Sequence, residues 1–255
     1  MERLLSKLAM AFAASLICAC QMAPPPPATR EIPGAVERQL VRERLSAVVV
    51  TQRDHLGAWA KRKFSIENAP EDADGGSATP ITHDGYFLTA DHVLATAPGR
   101  NVFVIYGRGG DIVLSKARVV WRSAPDDLAI LHIPISTPFH YQWSAPDRWL
   151  TSGARVIHGG MATGLESEPG KLSTDLSPES RFTGNRRFKI DIPLRPGDSG
   201  GPVIDASGKL IGINSAVEYL IPMETAIFLD SEGNRPSLRF LNKIIAEDRR
   251  RRAAR

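Results

Sequence analysis

Arg195-Pro196-Gly197-Asp198-Ser199-Gly200-Gly201-Pro202 sets one serine between glycines and directly after an aspartate. A turn this tight needs backbone conformations that glycine adopts without steric cost, and the missing Cβ atoms let another group approach the main chain closely. Such a turn also aims backbone N–H groups at one point. An oxyanion formed when the Ser199 hydroxyl attacks a carbonyl would be held by the N–H groups of Gly197 and Ser199, the arrangement that supplies much of the rate in acyl transfer. The stretch is therefore read as a presented nucleophile rather than as a polar glycine-rich hairpin.

A serine hydroxyl needs a base, and the base needs an acid to orient it. Their order along the chain separates folds. Gly197-Asp198-Ser199-Gly200-Gly201 also fits the Gly-x-Ser-x-Gly elbow of α/β-hydrolases, whose triad runs serine, acid, histidine. All six histidines (His55, His83, His92, His132, His140 and His158) precede Ser199, so that reading fails. Thr89-Ala90-Asp91-His92-Val93 puts a histidine just past a strand-like run, where it can look out over the end of a barrel. Asp126-Asp127-Leu128-Ala129-Ile130-Leu131 sets an acid at the mouth of an apolar strand. His92, Asp127 and Ser199 thus follow one another as base, acid and nucleophile. Asp127 is preferred over Asp126 as the acid because it abuts the Leu-Ala-Ile-Leu run.

At 255 residues the chain has room for one large domain or two small ones with a shared core. Its apolar fraction of 42% and charged fraction of 24% are ordinary for a globular protein. The formal net charge of +4 is concentrated in a tail whose last seven residues carry five arginines. Without that tail and the first 19 residues, acids outnumber bases, and a nucleic-acid partner is not indicated. Both cysteines, Cys18 and Cys20, lie in the N-terminal apolar segment, so the folded part has no disulfide. The chemistry calls for no metal and no cofactor.

Residues 1–19 carry Arg3 and Lys7 ahead of an apolar run too short to span a membrane comfortably, which reads as a signal peptide. Ile17-Cys18-Ala19-Cys20 resembles a bacterial lipobox, implying lipidation and a new N-terminus at Cys20; ordinary signal-peptidase cleavage is the alternative, and both export the protein. Residues 20–33 form a linker in which Pro24-Pro25-Pro26-Pro27 makes a stiff spacer. Gln21 resembles the residue that follows the lipidated cysteine in lipoproteins sent on to the outer membrane, which would place the domain on the periplasmic side.

Partial helical spacing predicts a short helix over residues 35–45, followed by a strand at 46–51 and a charged surface insertion at 53–75. A hairpin is expected over 75–90 with His83-Asp84-Gly85 as its turn. Strand-like runs follow at 102–106, 112–121, 128–133, 155–158, 187–192, 202–204, 210–215 and 226–229. Many short strands without alternating helices indicate an all-β barrel or sandwich. Pro236 is expected to open a final helix whose stripe of Leu238, Leu241, Ile244 and Ile245 docks on the body with its arginines solvated.

Taken together, Asp84-Gly85-Tyr86-Phe87-Leu88-Thr89-Ala90-Asp91-His92-Val93, Asp127-Leu128-Ala129-Ile130-Leu131, Pro196-Gly197-Asp198-Ser199-Gly200-Gly201-Pro202-Val203 and Gly212-Ile213-Asn214-Ser215 resemble the chymotrypsin-fold (trypsin-like) serine proteases. They are most similar to the bacterial, disulfide-free branch of high-temperature-requirement proteases and glutamyl endopeptidases. The resemblance covers residues 46–230. It implies an all-β fold of two packed antiparallel six-stranded β-barrels (about 46–135 and 150–230) within a domain spanning 34–235, with a helix and Arg-rich tail at 236–255. By the same resemblance His92 is general base and then acid, Asp127 holds its tautomer, Ser199 forms the acyl-enzyme, and Ser215 supports the buried acid. Two departures stand out. Gly76-Ser77-Ala78-Thr79-Pro80 replaces a Gly-Ser-Gly start, and its proline removes one ladder hydrogen bond. No Ile-Val-Gly-Gly-like start precedes the domain, so activation by a freed N-terminus pairing with Asp198 is not expected. Nor is a PDZ domain expected after residue 230.

The pocket for the residue before the scissile bond would be walled by Pro193, Leu194, Arg195, Ala216 and Val217, with Ser215 at its edge. Pro193 holds the position where trypsin-like enzymes carry a carboxylate, so preference for small or medium aliphatic residues is expected; an inward-turned Arg195 would favour Glu or Asp instead. The function implied is an exported serine endopeptidase acting on peptides or proteins. A catalytically silent binding module of the cell envelope and a serine esterase are the alternatives. Oligomeric state is not readable from the sequence.

Overall fold

The computed structural model describes residues 41, 44, 46–56, 71–107, 112–163, 169–220 and 227–254, without the side chains of 218–220. The expected signal peptide, Cys20, the linker, nearly all of the 35–45 helix and most of the 53–75 insertion lie outside the described residues.

The first sheet is built from β1 (Ser46–Thr51), β2 (Asp74–Pro80), β3 (Tyr86–Thr89), β4 (Asn101–Tyr106), β5 (Val113–Lys116), β6 (Arg118–Ser123) and β7 (Leu128–His132). Its order is β5-β4-β1-β2-β3-β7-β6, all neighbours antiparallel. Seven strands stand where six were expected because the run predicted over 112–121 bends at Ala117. Its halves, β5 and β6, lie at opposite ends of the order, so one continuous stretch closes the sheet on itself. Closure removes open sheet edges.

The second sheet holds β8 (Arg155–His158), β9 (Pro169–Lys171), β10 (Arg186–Ile190), β11 (Pro202–Asp205), β12 (Leu210–Leu220) and β13 (Ile227–Arg235) in the order β10-β13-β12-β11-β8-β9. An antiparallel bridge between Leu172 and Ile190 joins the two ends, giving the six-stranded barrel expected. Strand β9 was not anticipated from sequence, because Pro-Gly-Lys carries no apolar alternation. Strands β12 and β13 run well past their predicted ends as a long hairpin.

Alternation of side chains along each strand assigns them to different cores. In β3, Phe87 points into the first barrel while Tyr86 and Leu88 face the region between the barrels. In β7, Ala129 and Leu131 face inward while Leu128 and Ile130 join that same intervening core. In the second barrel, Val203 and Ile211 face inward and Ile204, Leu210 and Ile213 face the first. Strands buried on both faces are why these runs read as continuously apolar.

Helix α1 (Leu238–Ala253) packs Leu238, Leu241 and Ile245 on this central core, with Ile244 partly buried beside them. It begins after Pro236: Ser237 is the cap, accepting a hydrogen bond from the Phe240 N–H, and the Glu179 carboxylate accepts from the Leu238 N–H at 2.9 Å. The expectation of solvated arginines needs correction at two positions. Arg249 forms a two-pronged bond to Asp84 (2.9 and 2.6 Å), and Arg252 lies near Asp248 and Asp84. Asp248, buried in the interface, accepts from the Tyr86 hydroxyl at 2.8 Å and from Arg118 at 2.8 and 2.6 Å.

Candidate active site

Register brings the base and acid together. Strands β3 and β7 pair Thr89 with Ala129, so the residues just past the end of β3 lie beside those just before the start of β7. His92 follows β3 in a short 3₁₀ turn, Asp91–Leu94, and Asp127 immediately precedes β7. Asp127 adopts φ +47°, a left-handed conformation that aspartate tolerates better than most residues, at the end of a turn closed by its N–H on the Ala124 carbonyl. This bend turns its carboxylate towards His92, whose backbone N–H donates to Asp127 Oδ1 at 2.9 Å. His92 Nδ1 lies 3.0 and 2.9 Å from the two carboxylate oxygens. An ionised carboxylate only accepts, so Nδ1 carries the proton and Nε2 is left as the basic nitrogen. Asp126 is turned away and accepts from Ser123 Oγ at 2.6 Å.

Burial alone would raise the Asp127 carboxyl, but hydrogen bonds from His92 and Ser215 outweigh it and hold it at about 2. The same Asp127 contact raises His92 above its ordinary 6.5, against a smaller opposing effect of desolvation. Ser215 Oγ donates to Asp127 Oδ2, and Asn234 Nδ2 reaches the Asp127 carbonyl at 3.4 Å. Beneath the 3₁₀ turn, Arg122 grips Asp91 with bonds of 2.6 and 3.1 Å.

Ser199 is placed by the second barrel. Pro202 pairs with Ile213, and the turn is tied to β12 by Gly200 N–H to the Asn214 carbonyl and Asn214 N–H to the Gly201 carbonyl, each 2.8 Å. Gly200 has φ +86°, and a Cβ there would lie 2.2 Å from the Ser77 carbonyl oxygen; the glycine is a steric requirement. Ser199 Oγ donates to the Ser215 carbonyl at 3.2 Å, and Ser199 and His92 line one cleft. Among the described residues, neither the Gly197 nor the Ser199 backbone N–H is used within the chain.

The turn is braced from both barrels. Ser77 Oγ donates to the Gly197 carbonyl (2.6 Å), Ser77 N–H to the Ser199 carbonyl (2.8 Å), and Thr79 Oγ1 to the Gly200 carbonyl (2.9 Å). The Asp198 side chain is fully buried and accepts from the N–H groups of Ala162 (3.1 Å), Thr163 (2.9 Å) and Arg195 (2.9 Å) and from Thr163 Oγ1 (3.1 Å). Asn214 Nδ2 bridges the Gly159 and Asp198 carbonyls.

A model of the trypsin-like peptidase domain matches residues 76–213, a span that contains all three of these residues. The chain belongs to that family. It is 31% identical over 164 residues to the “Probable periplasmic serine endoprotease DegP-like” of Rhizobium meliloti (strain 1021), covering 62% of this chain and 29% of the relative. The protein of the same description from Pseudomonas fluorescens is 28% identical over 190 residues, covering 68% and 38%. The chain thus spans well under half the length of these curated relatives. Among solved structures, the HtrA-type protease AlgW with decapeptide superposes with a TM-score of 0.57 at 20% identity, covering 84% of this chain and 68% of that one. Deg5 gives 0.51 at 18% identity, covering 72% and 87%. These similarities carry the chymotrypsin-like fold.

Of the residues expected around the substrate pocket, Leu194 is buried, Pro193, Arg195 and Ala216 are exposed and Val217 is half-buried. An inward-turned Arg195 is not what the structure has: its backbone N–H holds Asp198 while its side chain faces solvent. Sequence reasoning missed the bracing roles of Ser77, Thr79 and Thr163. Ser77 and Thr79 stood in the segment flagged for its proline, where two hydroxyl residues on one face of a buried strand were the available signal.

Proposed function

We propose that the chain is an exported serine endopeptidase in which Ser199 attacks the scissile carbonyl and His92 Nε2 takes its proton. The oxyanion of the tetrahedral intermediate sits on the Gly197 and Ser199 N–H groups. Collapse breaks the C–N bond as His92 returns the proton to the leaving amine, and water, activated in turn by His92, hydrolyses the ester. Asp127 keeps the imidazole in the Nδ1–H tautomer and stabilises the imidazolium. The observation that carries this reading is the His92–Asp127 contact at 2.9 Å, with His92 sharing a cleft with Ser199, whose N–H and that of Gly197 have no partner among the described residues. Ser199 Oγ rests on the Ser215 carbonyl, and the hydrogen bond to His92 would form when substrate binds.

The N-terminal apolar segment and the periplasmic relatives support a location in the cell envelope, with Cys20 as lipid anchor holding the domain at the outer membrane on its periplasmic side. Mass spectrometry of the mature N-terminus tests the anchor; an unmodified Cys20 removes it. Labelling of the purified protein by a fluorophosphonate, lost in Ser199→Ala, tests the nucleophile. Cleavage of a denatured protein substrate by wild type separates a peptidase from an esterase, and labelling absent from wild type would favour the silent binding module.

A further inference from the structure

We infer that Asp74 selects a cationic side chain, Lys or Arg, on the residue immediately after the scissile bond. This rests on the peptidase reading above and names the substrate feature that the leaving-group side of the same site would take.

A cleft of about 340 Å³ extends from Ser199 and His92 between Gly75, Val93, Thr96 and the Pro196-Gly197 segment, with Asp74 in its wall. In the proposed reaction His92 protonates the leaving amine, so the leaving half of the substrate lies against His92. The Ser215-Ala216-Val217 segment, which follows the carbonyl to which Ser199 Oγ donates, is left for the acyl half. Among the described lining residues, Asp74 is the only one that carries a formal charge when His92 is neutral.

The Asp74 carboxylate is fixed and only half satisfied. Its Oδ2 accepts from Thr96 Oγ1 at 2.6 Å and from Arg100 Nη1 at 2.5 Å, while Oδ1 has no partner among the described residues. Arg100 lies behind it: its side chain is 16% exposed against 54% for Asp74, and its other terminal nitrogen is spent on the carbonyls of Val50 and Asp72. A side chain entering from Ser199 therefore meets the carboxylate before the guanidinium. The Thr96 hydrogen bond, followed by that from Arg100, holds Asp74 below its usual range, so it stays ionised across the working pH. Because the acid is already immobilised, only the substrate side chain loses freedom on pairing.

The test uses three peptides identical except for Lys, Gln or Glu immediately after the cut. The expected order of kcat/KM is Lys, Gln, Glu, with roughly fivefold between Lys and Gln at low salt, as for a part-exposed ion pair. The Lys-to-Gln ratio should shrink towards one as salt is raised, a measurement on the wild type alone, and should also fall in Asp74→Asn. Equal cleavage of the Lys and Gln peptides by a wild type that labels with fluorophosphonate overturns the assignment to Asp74 and leaves the peptidase reading standing. A wild type that neither labels nor cuts overturns both.

Discussion

Thr163 donates both its backbone N–H (2.9 Å) and its hydroxyl (3.1 Å) to one oxygen of the fully buried Asp198 carboxylate. A buried carboxyl group without hydrogen-bond partners would be costly, and here donors from the segment after β8 supply them. Because Asp198 lies between the two N–H groups assigned to the oxyanion, this contact sets their direction. Gly160 makes the close approach possible: a Cβ there would sit 2.2 Å from Asp198 Oδ1. Gly160→Ala should lower kcat by about 10²-fold, the scale of losing an oxyanion donor, with less effect on KM. Steady-state kinetics on a protein whose circular dichroism matches wild type is the check, and unaltered kcat would show that Asp198 does not control the turn.

The His92–Asp127 pair fixes the pH dependence. As the proposed base, His92 must be neutral, and Asp127 raises it above 6.5, so kcat/KM should fall on the acid side through that raised value. Asp127→Asn removes the cause; the acid limb should move to lower pH while kcat drops by roughly 10⁴-fold. The stability signs differ for the two partners. His92, raised on folding, contributes fully below 6.5 and loses its contribution as pH rises through the raised value. Asp127, lowered from 3.8 to about 2, contributes fully above 3.8 and loses its contribution as pH falls through about 2. An acid limb that stays in place in Asp127→Asn would exclude His92 as the titrating base.

The serine turn, the histidine and the acid were legible because each is a local pattern: a glycine-bracketed serine, and polar residues at the ends of apolar runs. Strand β1 and the β2–β3 hairpin were legible for the same reason, since β-branched content and the His83-Asp84-Gly85 turn are short-range signals. What was not legible depends on contacts between distant segments. Ser77 and Gly197 are 120 residues apart, and the two hydroxyls on one face of β2 do not by themselves say which distant turn they brace. The bend at Ala117 is decided by barrel closure, not by its own residue. The arginines of α1 were read as solvated because their partners, Asp84 and Tyr86, lie on the first hairpin and come near only when the helix docks.

That docking can be measured. Asp248 is buried and holds the Tyr86 hydroxyl and Arg118 at once, whereas the Arg249–Asp84 pair is exposed on both sides. Asp248→Asn leaves Arg118 without its counter-charge and should destabilise by about 2 kcal/mol, less than a fully buried pair because Arg118 is partly solvated. Arg249→Ala should cost under about 1 kcal/mol, even with the loss of its contact over the Tyr86 ring. Chemical denaturation of the two variants checks the order, and equal midpoints would refute it.

The residue accepted before the scissile bond follows from what the pocket segments leave uncharged. Leu194 is buried, Val217 half-buried, and Ser231, opposite Val217, spends its hydroxyl on the Ile192 carbonyl at 2.6 Å. Among the described side chains, the nearby acids are committed elsewhere: Glu232 pairs with Arg187 at 3.0 Å and Asp230 accepts from Ser173. Arg195 faces solvent, so among the described side chains of these segments nothing is positioned for a carboxylate either. A desolvated Lys or Arg would find no counter-charge among the described residues and a Glu no cation, so preference for small or medium aliphatic residues such as Ala, Val and Leu is expected. If Val217 narrows the mouth as proposed, Val217→Gly should raise kcat/KM for Phe relative to Ala by roughly tenfold, the scale of a few methyl contacts in an apolar slot. Profiling a mixed peptide library with both proteins decides the matter: dominant cutting after Lys, Arg or Glu would refute the aliphatic assignment, and an unchanged Phe-to-Ala ratio in the variant would remove Val217 from the pocket.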